Sequence, residues 1–253
     1  MSQHLLVSRT GRVLRIALAR PDKRNALNAA LCRELVAAVE DAEQDPSVGA
    51  ILLSGQGKAF CAGMDLGEIG PGVPDTLGEL HEQLFTLGAR LVKPIIAAVH
   101  GPALGGGTGL VANCHIVVAA PDATFGLTEI RLGLWPFLVY YAVAAAIGER
   151  RTLELALTGR VLTAAEALNL GLIHEISHDL EARTSELATQ IAGYSPSSLR
   201  AGMRFAHDVK GLNREQAGAI AREVRGRVFQ TTDFQEGLRA FREKRPPKWP
   251  SLE

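Results

Sequence analysis

Apolar positions recur along this chain with two different spacings. Leu5 to Val7 and Val13 to Ala17 are short apolar stretches separated by Thr10-Gly11, the pattern of a hairpin. After Pro21, the residues Leu27, Leu31, Leu35 and Val39 recur at helical spacing, with Asn28 as N-cap and Pro46 as the stop. Val48 to Ser54 and Pro94 to Val99 are continuous apolar runs that predict buried strands. Each leads into a glycine-bearing segment, Gly57 to Leu66 in one case and His100 to Leu110 in the other. Apolar Leu110, Val111 and Ala112 place the start of a helix at the second set of glycines. The first turn of a helix leaves its N–H groups unpaired and carries the positive end of the dipole, so such a turn receives an anion or a developing negative charge. Two such turns can supply one donor each.

Gly67 to Gly78, rich in glycine and proline, predicts a loop over the pocket, and Leu80 to about Leu91 a helix. His115 to Ala120 predicts a strand, Thr124 to Gly126 a short one before the loop that carries Glu129, and Val139 to Ile147 a buried helix. Thr163-Ala164-Ala165-Glu166 has the form of a capping box, and Gly171 sits where a left-handed C-cap belongs. Leu172 to Ile176 predicts a last strand. From about Leu180 the pattern is helical, broken at Ser195-Pro196 and near Gly211. Strands alternating with helices give an α/β class, with a core over residues 1–193 and a helical C-terminal region over 194–253.

Composition narrows the classes of function. With 27 basic and 27 acidic side chains in 253 residues there is no general pull toward nucleic acid or an anionic membrane. The three cysteines, Cys32, Cys61 and Cys114, are widely spaced and odd in number, which fits free thiols in a reducing compartment; the expected location is cytoplasmic. The N-terminus lacks a basic segment followed by an apolar core, and Leu138 to Ile147 is too short to span a bilayer.

Several chemistries can be weighed from spacing. Neither a P-loop nor a dinucleotide fingerprint fits the glycines near residue 105. His174-Glu175-Ile176-Ser177-His178 matches a zinc-protease pattern that works only on a helix. The apolar residues around it predict a strand, in which the two imidazoles stand about 13 Å apart, so no metal is expected there. Cys61 lies beside a donor turn, but no base can be assigned to it, and a packed thiol is the favoured reading.

Taken in order, Arg20-Pro21-Asp22-Lys23-Arg24-Asn25-Ala26-Leu27-Asn28, Phe60-Cys61-Ala62-Gly63-Met64-Asp65-Leu66, Gly101 to Gly107, Phe125-Gly126-Leu127-Thr128-Glu129, Leu157-Thr158-Gly159, Ala164-Ala165-Glu166-Ala167 and Glu236 to Phe241 resemble the enoyl-CoA hydratase/isomerase, or crotonase, superfamily over nearly the whole chain. The resemblance implies a spiral of stacked ββα units and a C-terminal helical region that packs subunits into a homotrimer or homohexamer. It implies an acyl-CoA substrate, with coenzyme A as part of the thioester and no separate cofactor, and no nucleic-acid or membrane partner. By the same resemblance the amides of Met64 and Gly106 form an oxyanion hole and Glu129 is the catalytic carboxylate. Lys23, Arg24, Ala26, Lys58, Ala62, Asp65, Leu66, Gly105 and Trp135 then fall along the substrate and coenzyme A site. The basic stretch Arg239, Arg242, Lys244, Arg245 and Lys248 is most simply a solvated tail, with Phe241 or a nearby cation reaching a neighbouring subunit's coenzyme A as the alternative.

One departure bears on the reaction. The second glutamate of hydratases falls at Gly109. A single carboxylate favours isomerase over hydratase action, with Asp65, Glu68, Asp75, Glu79 or Glu82 as sources of a second group. Hydratase or lyase activity, and a non-catalytic coenzyme A-binding or assembly protein, are the alternatives.

Overall fold

A computed structural model describes residues 4–69 and 76–252 of the chain. Strands β1 (Leu5–Thr10) and β2 (Val13–Leu18) form the expected hairpin, in antiparallel register from Leu5 opposite Leu18 to Thr10 opposite Val13. Helix α1 (Ala29–Gln44) starts where Asn28 accepts the Leu31 amide at 3.0 Å. Its apolar stripe, Leu31, Leu35 and Val39 among others, is buried. Strand β3 (Ala50–Gly55) follows, beginning two residues later than expected because Val48 and Gly49 still belong to the connection.

Helix α2 (Thr76–Thr86) begins four residues before Leu80 and gives way to a 3₁₀ turn at Leu87–Ala89, so the expected loop is shorter than Gly67 to Gly78. Residues 66–68 form a 3₁₀ turn, and the remainder of that loop, 70–75, lies outside the described residues. Strands β4 (Ile95–Val99) and β5 (Ala103–Leu104) then lead into α3 (Gly106–Ala112), the short helix expected at the glycines. Strands β6 (Ile116–Ala119) and β7 (Thr124–Gly126) precede α4 (Phe137–Ile147).

Helix α5 (Glu149–Thr158) and strand β8 (Val161–Thr163) were not legible as an apolar pattern, since α5 buries only Thr152, Leu155 and Ala156. Helix α6 (Ala164–Leu170) carries the full capping box, with Gly171 left-handed at φ 82°. Strand β9 (Glu175–Ile176) is shorter than Leu172 to Ile176, although Leu172 and Ile173 are buried. Helices α7 (Leu180–Ala192), α8 (Pro196–Asp208), α9 (Arg214–Phe229) and α10 (Thr232–Glu243) complete the chain. The break between α9 and α10 has neither glycine nor proline; Thr231 marks it by capping the Phe234 amide at 3.2 Å.

The main sheet has the order β1-β2-β3-β4-β6-β9 and is parallel beyond the hairpin, while β5-β7-β8 form a small second sheet. Side chains alternate across β3: Ile51 and Leu53 face the large core shared with α1, whereas Ala50 and Leu52 meet Ala188, Ile191 and Ala192 of α7. Covering both faces explains why the parallel strands read as unbroken apolar runs. The tail is clasped by two buried carboxylates. Asp233 accepts from Ser195 at 2.6 Å and from the Ser251 hydroxyl at 2.7 Å, and Glu236 accepts from Arg239 at 2.6 Å and Arg245 at 2.7 Å. Two of the basic residues expected in a solvated tail therefore have a structural partner. No helix among the described residues is long and apolar enough to cross a membrane.

Candidate active site

The first donor turn is built on Asn25, a fully buried side chain. Its Nδ2 points at the carbonyls of Gln56, Ala59 and Phe60 at 2.9, 2.9 and 3.1 Å, and its Oδ1 accepts from the Arg20 amide at 2.9 Å. Arg24 and Asn25 are left-handed, with φ 50° and 55°, which folds residues 24–27 back against the segment after β3. The Leu27 amide donates to Gly63 at 2.8 Å and the Leu27 carbonyl accepts from Asp65 at 3.1 Å, a parallel bridge between Leu27 and Met64. In such a bridge the flanking residues face the partner, so the Met64 N–H points to the opposite side. Arg20 closes the clamp, pairing with Asp65 at 2.9 Å and donating to the Ala26 carbonyl. Burial works against ionisation of Asp65, but Arg20 and the Gly67 amide outweigh it and hold the carboxyl below its ordinary pKa.

The second donor is the start of α3. Gly105 takes φ 53° and ψ −118°, and Gly106 is the first helical residue, whose amide has no carbonyl one turn back to meet. The two turns touch through glycine. A Cβ on Gly63 would lie 2.7 Å from the Leu104 carbonyl oxygen and 3.2 Å from the Gly106 nitrogen, and one on Gly107 would lie 2.1 Å from the Cys61 oxygen. Among the described residues neither the Met64 nor the Gly106 amide donates a hydrogen bond. The geometry thus brings two turns with unpaired amides into contact.

Glu129 opens a 3₁₀ turn three residues after β7. Its Oε1 lies 3.0 Å from where a Cβ on Gly105 would stand, so the carboxylate rests against the backbone of the donor turn. Oε2 is buried and has no hydrogen-bond partner among the described residues. Burial pushes the carboxyl pKa up, with only its own backbone amide opposing. This is the environment of a base brought toward working pH by desolvation.

Gly109 lies on α3 one turn beyond Gly105, and its space is already filled. A Cβ there would meet Val139 Cγ1 at 2.6 Å and Phe85 Cε1 and Cδ1 at 3.0 and 3.1 Å. Phe85 and Val139 are 2% and 4% exposed, so α2 and α4 place an apolar wall against this position. Sequence reasoning missed Phe85 and Val139 because nothing local distinguishes them from other core residues. Asn25 and Arg20 lay inside the first motif but gave no sign of their separate tasks.

The alternative carboxylates stand in different settings. Asp65 is committed to Arg20; Glu68 accepts the Ala29 amide at 2.7 Å; Glu79 and Glu82 are exposed on α2; Asp75 lies outside the described residues. Lys23, Arg24 and Lys58 are exposed near these turns, Ala26 is buried, Ala62 is half-buried, and Leu66 is exposed. Trp135 is half-buried with its ring 6.3 Å from that of Tyr140. Cys61 is fully buried and its thiol is pushed up to about 12 by desolvation, so it stays protonated. The His174 to His178 segment is extended rather than helical at Glu175–Ile176, and His174 Nδ1 accepts the Val117 amide at 3.1 Å.

Comparison with known proteins identifies the family. The profile of the family described as Enoyl-CoA hydratase/isomerase matches residues 8–251. The chain is 36% identical to the enoyl-CoA hydratase EchA19 of Mycobacterium tuberculosis, over 96% of this chain and 95% of that one. It is 35% identical to the 2,3-dehydroadipyl-CoA hydratase of Escherichia coli K12, over 96% and 97%. The crystal structure of an enoyl-CoA hydratase from Bacillus anthracis superposes with a TM-score of 0.92 at 32% identity, covering 98% of this chain and all (100%) of that one.

Proposed function

The chain belongs to the enoyl-CoA hydratase/isomerase family, and within that family we propose that it is an isomerase that moves the double bond of an enoyl-CoA with Glu129 as its one base. The observation that carries this reading is the wall at Gly109: Phe85 and Val139 fill the place of a second carboxylate, while Glu129 rests against the donor turn. The thioester oxygen is received by the amides of Met64 and Gly106. Glu129 takes a proton from C2 of a 3-enoyl thioester, and the electron pair of that C–H bond passes through C1 to the oxygen, giving a dienolate. When the carbonyl re-forms, the pair moves out to C4, which takes the same proton back from Glu129. Each fixed donor stabilises the oxyanion by roughly 2.7 to 4 kcal/mol, because it meets the charge without reorganising.

Addition of water needs a second polar group to position the nucleophile at C3. The relatives are named hydratases, and this favours hydration as the second reading. Assay against paired 3-enoyl and 2-enoyl thioesters separates the two. Faster isomerisation of the former than hydration of the latter is expected; efficient incorporation of labelled water with no isomerisation overturns the proposal. Turnover of neither points to the non-catalytic alternative. The same reading includes Lys23, Arg24 and Lys58 as cations for the coenzyme A phosphates, Trp135 beside the acyl chain, and a cytoplasmic homotrimer or homohexamer assembled through residues 194–253. The absence of any fully buried residue in α8 and α9 supports the assembly role.

A further inference from the structure

We infer that Thr108 is a positioning residue: its hydroxyl fixes the Glu129 carboxylate relative to the Gly106 amide. The inference rests on the roles proposed for Gly106 and Glu129 but not on the choice between isomerase and hydratase. Thr108 is the third residue of α3 and is fully buried. Its Oγ1 lies 2.7 Å from the Ala103 carbonyl, 3.0 Å from the Gly126 carbonyl, and 3.0 Å from the Gly126 amide, which donates to it. One hydroxyl has one proton. Its proton is placed on the nearer acceptor, the Ala103 carbonyl at 2.7 Å, while the Gly126 carbonyl accepts from the Gly105 amide at 2.8 Å.

Both polar groups of Gly126 are therefore held by the donor turn, the carbonyl by Gly105 and the amide by Thr108. Gly126 ends β7, and Glu129 follows three residues later with its carboxylate against Gly105. Neighbouring Leu127 is fully buried, which leaves the short connection little freedom. The Thr108 hydroxyl is thus a side-chain pin across the small sheet, joining the strand before the oxyanion donor to the strand before the base. Without it Gly126 is tied to the donor turn only through the two-residue β5–β7 ladder and the Gly105 amide, and the connection carrying Glu129 gains freedom to shift.

The test uses the full-length protein with Thr108→Val, which keeps the shape and removes the hydroxyl, and Thr108→Ser, which keeps the hydroxyl. For whichever enoyl-CoA reaction the wild type performs, Thr108→Val is expected to lower kcat by about tenfold or more with KM changed less than about threefold, since misplacement by a fraction of an ångström weakens the reaction and not the binding. Thr108→Ser should stay within about threefold of wild type in both. A 3-ketoacyl-CoA, whose enolate absorbs where the keto form does not, supplies a second readout: Thr108→Val should bind it with a weakened enolate band. If Thr108→Val does not fold, Thr108→Ala takes its place with the same expected split. Wild-type kcat in the folded Val or Ala variant, or equal impairment of Val and Ser, overturns the inference. Glu129→Gln is run alongside: its full turnover sinks the base assignment itself, whereas wild-type kcat of Thr108→Val beside an inactive Glu129→Gln sinks only the role of Thr108.

Discussion

Gly109→Glu installs the carboxylate that this chain lacks, and the structure argues that it fails when made alone. The new Cβ would stand 2.6 Å from Val139 Cγ1, against a comfortable carbon–carbon separation of about 3.5 to 4.0 Å, before any further side-chain atom is placed. Overpacking of this kind costs about 1 to 3 kcal/mol, and a carboxylate pressed on the Phe85 ring adds a desolvation cost of similar order. Leaving glycine for a better helix former returns only about 0.5 kcal/mol. A net loss of roughly 1.5 to 5.5 kcal/mol should lower the melting temperature by about 3 to 20 °C in a chain of this size. Val139→Ala removes the clashing methyl, so glutamate should cost at least about 1 kcal/mol less in that background than in wild type. Thermal melts of wild type, both single variants and the double variant give the coupling, and labelled-water incorporation into a 2-enoyl-CoA gives the chemistry. Hydration should rise only in the double variant. A Gly109→Glu protein that melts with wild type and hydrates efficiently refutes the wall. Clear coupling without any gain in hydration shows that something other than the missing carboxylate limits water addition.

Glu129→Gln should abolish turnover while leaving coenzyme A thioester affinity within about threefold, and it should melt higher than wild type at neutral pH. The sign follows from linkage: a carboxyl raised by burial is bound to its proton more tightly in the folded state, so its contribution to stability falls as pH rises through its folded pKa, and the neutral amide escapes that penalty. Unchanged turnover would remove Glu129 from the mechanism. The acid limb of the wild-type kcat/KM profile should lie above the ordinary glutamate value of 4.5, and a limb at or below it would contradict the desolvated base. His115, lowered to about 4 chiefly by burial, should make the fold lose roughly 3 kcal/mol as pH falls from about 6.5 to 4, because only the unfolded chain takes up its proton in that window. Urea midpoints of His115→Gln that vary with pH as steeply as wild type would exclude it as the source. Asp65→Asn should cost about tenfold in kcat/KM through a loosened Met64 turn, roughly 1.4 kcal/mol of transition-state energy; wild-type kinetics would show that the Arg20 pair is dispensable.

Elements with a strong period were legible in the sequence. Asn28, the capping box at Thr163, and the buried strands β3 and β4 all appear within two residues of expectation, because burial on two faces or along one helix stripe leaves a pattern in the residues themselves. Elements whose cause lies elsewhere in the chain were not. Strand β5 is two residues long and exists because Ala103 and Leu104 find β7, and α5 exposes most of its length, so neither has a period to read. Helix α2 was placed late because Thr76 to Gly78 carry little apolar signal. At the site, the glycines and Glu129 stood out by motif, but the wall at Gly109 required knowing that α2 and α4 converge on α3. Long-range packing of that kind has no signature at a single position.

The same distinction bears on the oxyanion role proposed for Met64. In that proposal the donor is the amide, aimed by the bridge to Leu27 and by Asn25 and the Arg20–Asp65 pair, none of which depends on the side chain at 64. Gly106 is constrained differently, because a Cβ there would press on Leu27 Cδ1 at 3.0 Å and on Phe85 Cζ at 3.2 Å. A substitution at 64 should therefore alter the shape of the acyl pocket while keeping the donor, whereas almost any substitution at 106 displaces the very residues that hold the other donor and the wall in place. Met64→Ala tests the first half directly: it should change the relative kcat/KM among acyl chains by several fold and leave the affinity for an enolate mimic on a short chain within about twofold. A uniform loss across all chains would mean that the side chain, and not the backbone alone, sets the position of the amide.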